Sequence, residues 1–98
     1  MELTSKQRSR LRALAHDRQP VVITGQRGLT PAVLSEIEQA LAHHELIKIR
    51  LGSTDRDERE RMTREICEKT SSAWVQNIGR IAVVYRPAEK PAIRLDDE

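Results

Sequence analysis

Ninety-eight residues are enough for one domain with a single modest core. A third of them are charged, two are aromatic and one is cysteine, which excludes a disulfide framework or a cysteine-based zinc site within the chain. The formal net charge of +2 is uneven: residues 1–30 hold six basic against two acidic groups, and residues 31–98 hold eleven against thirteen.

Clustered basic charge at the front of a chain is the electrostatic footprint of a polyanion partner, or otherwise a solvated surface. No apolar stretch approaches membrane-spanning length, and the N-terminus carries no secretory-signal pattern. The expected setting is the cytoplasm, with no membrane partner. There is no internal repeat and no linker rich in Pro or Gly.

Thr4 is the predicted N-cap of a first helix that ends near His16 or Asp17. Leu11, Leu14 and Ala15 make its narrow apolar stripe. Lys6 and Arg10 flank that stripe on one side, Arg8 and Arg12 on the other, each pair at i,i+4 spacing. Like charges so placed slightly destabilise an isolated helix, which hints at an anionic partner.

The run Val21-Val22-Ile23-Thr24-Gly25-Gln26-Arg27-Gly28-Leu29-Thr30-Pro31 follows. Pro20 opens a strand where its missing N–H does no harm, and the β-branched residues after it suit a buried pleated surface. Gly25 and Gly28 can take backbone angles closed to other residues and allow a ligand close to the main chain. Thr30 is a good N-cap and Pro31 a good first helical residue. A loop ahead of a helix N-terminus suits an anion, a phosphate above all. No Gly-Lys-Ser/Thr closes the loop and no three-glycine dinucleotide spacing is present, so a GxxG loop remains. In KH domains such a loop clamps nucleic-acid backbone between two helices, whereas here it joins a strand to a helix.

The second helix spans Pro31 to about His44, with Val33, Leu34, Ile37 and Leu41 inward. The strand Leu46–Leu51 alternates: Ile47, Ile49 and Leu51 face a core, while Leu46, Lys48 and Arg50 form the other face. Gly52-Ser53-Thr54 is a turn, and Asp55 with Glu58 resembles a capping box. A third helix runs to Lys69 or Thr70, with Met62, Ile66 and Cys67 inward. Two strands, 73–78 and 81–86, close the domain through Gly79-Arg80, which suits a two-residue hairpin with Gly first. Residues 88–98 read as a tail, and 1–87 as the domain. The order α-β-α-β-α-β-β predicts an α/β fold with a four-stranded mixed sheet: strand–helix–strand units favour parallel pairing, and the final hairpin must be antiparallel.

Together, Leu3-Thr4-Ser5-Lys6-Gln7-Arg8, GQRGLT at 25–30, HHELIKIRL at 43–51 and IGRIAVVYRP at 78–87 resemble the CRM domain family (chloroplast RNA splicing and ribosome maturation) in its bacterial, single-domain YhbY-type form. Arg27 supplies the basic loop residue typical of that family, while Gln26 stands where the family often has Lys. The resemblance implies a fold related to the C-terminal domain of a bacterial translation initiation factor. It also implies RNA binding, associated with precursors of the large ribosomal subunit.

The expected RNA-binding residues are Gly25, Gln26, Arg27 and Gly28, with Lys6, Arg8, Arg10, Arg12, Lys48, Arg50, Arg80 and Arg86 extending the surface. Loop N–H groups would take one phosphate, and the planar fork of Arg27 a neighbouring one. An RRM stacks bases on sheet aromatics, but this chain has no Phe, and Trp74 and Tyr85 read as core. The expectation is recognition of RNA shape and backbone rather than a base code.

No reaction is visible. His16, His43 and His44 lack zinc-helix spacing, and no nucleophile has a sequence-visible base, so no catalytic residue, metal or cofactor is expected. The alternatives are a module that binds a ribosomal protein or assembly factor through the charged third helix, and a fold that senses a small nucleotide.

Overall fold

The computed structural model describes residues 2–95. The elements are α1 (Ser5–Ala15), β1 (Pro20–Ile23), α2 (Pro31–His44), β2 (Leu46–Arg50), α3 (Arg56–Thr70), β3 (Ala73–Ile78) and β4 (Ile81–Tyr85). Their boundaries follow from local chemistry. Thr4 and Gln7 form a reciprocal capping box at α1: the Gln7 N–H donates to Thr4 Oγ1 at 3.1 Å, and the Thr4 N–H donates to Gln7 Oε1 at 3.0 Å. Thr30 Oγ1 caps α2 by accepting the Val33 N–H at 3.2 Å, with Pro31 in the first turn. At α3 the cap departs from expectation. Asp55 makes no side-chain cap bond; Ser53 Oγ accepts the Asp55 N–H at 3.1 Å, and its hydroxyl donates to the Glu58 carboxylate.

The four strands form one sheet in the order β1-β2-β4-β3. β1 and β2 are parallel, and β4 is antiparallel to both β2 and β3, so the sheet is mixed as the element order predicts. β4 is inserted between β2 and β3. The α3 crossover therefore joins strands that point the same way without being neighbours. Gly79 has φ +55° and Arg80 does not share the positive sign, as in a two-residue type II′ hairpin.

Helices cover both faces. On one, Ile37 and Leu41 of α2 and Ile66 of α3 pack on Val22, Ile47, Ile49, Ala82 and Val84. On the other, Leu11 and Ala15 of α1 pack on Leu46, Val75, Val83 and Tyr85. This second core corrects the reading of β2. Leu46 is fully buried beneath α1, so only the Lys48–Arg50 end of that face is open. Leu14 is 37% exposed and belongs to neither core. The α1 contact is the i,i+4 pair Leu11 and Ala15, too narrow to include it.

The segment after Pro87 is held against the domain as far as Leu95. Ile93 and Leu95 pack on the α1 core, and the Glu45 carboxylate accepts the N–H groups of Ala88 at 2.6 Å, Ile93 at 2.9 Å and Ala92 at 3.1 Å. Asp96, Asp97 and Glu98, the acidic end of the predicted tail, lie outside the described residues.

Candidate nucleic-acid interface

The glycine loop is built on Thr24, which is buried although polar. Its N–H donates to the Arg50 carbonyl at 2.9 Å, and its Oγ1 accepts the Gly52 N–H at 2.8 Å. These two bonds dock the loop on the β2–α3 connection. Gly52 makes the docking possible: a Cβ there would stand 2.9 Å from the Thr24 carbonyl oxygen and 3.1 Å from that of Gly25. Gly52 reads in the sequence only as a turn residue. Its dependence on Thr24 spans 28 positions, and no local pattern signals it.

Gly28 donates its N–H to the Gly25 carbonyl at 3.1 Å, which closes a tight turn with Gln26 and Arg27 exposed at its tip. Gly28 has φ +70°, the left-handed conformation that favours glycine. Gly25 does not share that requirement. Its φ is not positive, and a Cβ would meet nothing within 4 Å. Its missing side chain keeps the outer surface of the turn bare. The α2 terminus offers fewer donors than a generic helix start, because Pro31 has no N–H and that of Val33 is taken by Thr30. No acidic residue occupies the first turn to oppose an anion. On the α3 side the loop borders a shallow cleft of about 310 Å³ that includes Glu58.

Two further cations sit at the same end of the sheet. Arg50, exposed at the end of β2, pairs in register with Ile23 of β1 and Ile81 of β4. Arg80 is exposed in the hairpin turn, and its carbonyl accepts the Leu51 N–H at 2.7 Å. One row further in, Lys48 donates through Nζ to the His16 carbonyl at 3.3 Å. Arg12, His16, Lys48, Gln76 and Ile78 line a cleft of about 310 Å³ between α1 and the open part of the sheet.

The remaining expected residues are dispersed. The Arg8 guanidinium donates to the Trp74 carbonyl at 3.4 Å, near the start of β3. Arg10 donates to the Arg94 carbonyl at 3.1 Å, on the terminal segment. Lys6 is exposed in the first turn of α1. Arg86 follows β4 at the end of the sheet away from the loop, where its guanidinium meets Glu38 Oε1 at 2.7 Å and the Thr70 carbonyl at 2.8 Å. Its geometry is that of a tether between β4, α2 and the end of α3.

Other titratable groups have structural surroundings. Burial alone would raise the Glu45 carboxyl, but the three N–H donors and the Arg18 charge outweigh it and hold the group below its ordinary value. Burial pushes the Cys67 thiol up, away from the reactive thiolate. The Trp74 ring lies on the α3 side, with the Arg64 guanidinium 5.8 Å from its centroid. Among the described residues no group of three or more His, Cys, Asp or Glu is placed to hold a metal ion.

Residues 3–86 match the model of the CRS1/YhbY (CRM) domain. A Haemophilus influenzae protein named RNA-binding protein is 47% identical over 93 residues, covering 95% of this chain and 94% of its own. A Pseudomonas aeruginosa protein, named a probable RNA-binding protein, is 43% identical over 91 residues, or 93% and 88% of the two chains. The solution structure of a hypothetical Staphylococcus aureus protein, named as a candidate RNA binding protein, superposes with a TM-score of 0.86 at 33% identity, covering 97% of this chain and all of that one. With the strand–GxxG–helix loop and the mixed four-stranded sheet in place, the chain belongs to the CRS1/YhbY (CRM) domain family.

Proposed function

We propose that this protein is a non-enzymatic, cytoplasmic RNA-binding protein that holds the phosphate backbone with the turn at residues 25–28 and the cations beside it. The observation that carries the reading is the turn itself. Thr24 and Gly52 fix its base, its tip bears only Gln26 and Arg27, and Gly25 leaves its outer surface bare without any steric demand from the fold. Main-chain N–H groups at such a turn suit one phosphate, and the Arg27 fork suits the next. Arg50 and Arg80 extend the positive surface across the end of the sheet. The names of the relatives support the same class of ligand. The RNA we assign is ribosomal, in precursors of the large subunit, and the role is assistance in assembly.

Replacing Arg27 with Glu tests this directly. The side chain is exposed, so the variant should fold as the parent does. Removing a phosphate contact and adding a repelling charge should weaken binding to ribosomal RNA precursors by about tenfold or more. Unchanged affinity in a folded variant would remove the loop from the interface.

A further inference from the structure

α1 covers only part of its face of the sheet, and the part it leaves open has a definite chemical pattern. A register row crosses all four strands there: Ile23 of β1, Arg50 of β2, Ile81 of β4 and Ile78 of β3. Ile23 is 66% exposed and Ile78 54%, while Ile81 between them is half-buried against the edge of the α1 core. Adjacent strands are about 4.8 Å apart, so the row forms one platform roughly 14 Å across. Single exposed aliphatic residues are ordinary, but a set aligned on one open sheet face marks a binding surface. Arg50 stands within this row, Arg80 at its hairpin edge and Lys48 in the next row. The glycine turn begins two residues after Ile23. Among the described residues, none that is acidic lies on the strand positions of the patch or lines the cleft at its α1 edge.

We infer that this open face takes the bases of unpaired RNA whose backbone lies on the glycine turn. The inference rests on the RNA reading above and narrows it to a class of RNA. A duplex turns its phosphates outward and stacks its bases away from contact, so it can use the cations but not the isoleucines. A single strand presents anionic groups and flat apolar bases together, which is the pattern of this face. Base stacking on side chains tolerates any sequence, and aliphatic side chains substitute here for the aromatic platform that the chain lacks. Exposed β-branched residues also keep their positions without help from a ligand, because χ1 is stiff.

The test uses the full chain and three RNA probes: a mixed-sequence single strand, the same strand annealed to its complement, and the same strand carrying abasic sites. The single strand should bind about tenfold tighter than either of the others. Ile23→Thr and Ile78→Thr, both exposed and β-branched, should fold normally, weaken single-strand binding several-fold and leave duplex binding unchanged. Arg27→Glu should weaken all three probes. Equal affinity for the three probes, with Arg27→Glu still harmful, overturns the inference and leaves the loop's role standing. Absence of binding to every probe and to ribosomal RNA precursors overturns both. A face that instead joins two copies of the chain overturns the inference too. It would show as a concentration-dependent mass lost in Ile78→Thr, with single-strand affinity unchanged.

Discussion

Gly52 shows how one residue can control a site that it does not enter. Its missing side chain lets the β2–α3 connection come within hydrogen-bonding distance of Thr24, and Thr24 sets the base of the glycine turn. Gly52→Ala would press a methyl group against two carbonyl oxygens that belong to the main chain and cannot rotate away. Such overpacking costs about 1–3 kcal/mol. Denaturant unfolding should register that loss, and RNA affinity should fall with it although no charge has changed. Gly25→Ala is the contrasting case. It should leave stability nearly untouched, so any loss of RNA affinity would report on the outer surface of the turn alone. The two glycines look alike in sequence, and only the placement of chain segments distant in sequence separates their roles.

The connections between elements carry as much information as the elements. Glu45 caps α2 with φ +64°, a position where glycine is the usual choice and where other residues are strained by about 1–3 kcal/mol. The strain accompanies a function: the carboxylate gathers three N–H groups from the terminal segment. Because the folded carboxyl lies below its ordinary value of 4.5, its contribution is present in full above that value and drains away as pH falls through the lower folded one. Glu45→Gln should therefore cost about 1–3 kcal/mol near neutrality. The gap between variant and parent should close on acidification, as urea titrations across the acid range would show.

Element order and most boundaries were legible because capping residues, Pro, Gly and hydrophobic period act over a few positions. Thr4 with Gln7, Thr30 with Pro31, and the Gly79-Arg80 turn all act locally. The Glu45 clamp joins residues 43 to 48 positions apart, and Arg86 reaches Glu38 across 48, so neither leaves a local trace. The candidate site was legible in the same proportion. Its turn is a contiguous motif, while the choice among basic residues depended on which end of the sheet each one occupies.

At the scale of the molecule, the candidate cations divide between the two ends of the sheet. Arg12, Arg27, Lys48, Arg50 and Arg80 lie toward the glycine-turn end and the open face, whereas Arg8, Arg10 and Arg86 are engaged elsewhere. A compact site of five phosphate contacts on a single strand predicts a log–log salt slope of about −3.5, against about −6 if every basic candidate took part. Titrations of single-stranded RNA over a range of salt concentrations distinguish the two.

The central placement of β4 has a consequence for how the protein is made. Until residues 81–85 leave the ribosome, β3 has no neighbour and β2 lacks its antiparallel one. The Arg80 carbonyl likewise cannot hold Leu51 at the base of the loop connection before the hairpin forms. A partly synthesised chain thus carries the glycine turn without the frame that shapes it. On the RNA reading proposed above, the nascent chain gains its grip on RNA only once this hairpin is in place.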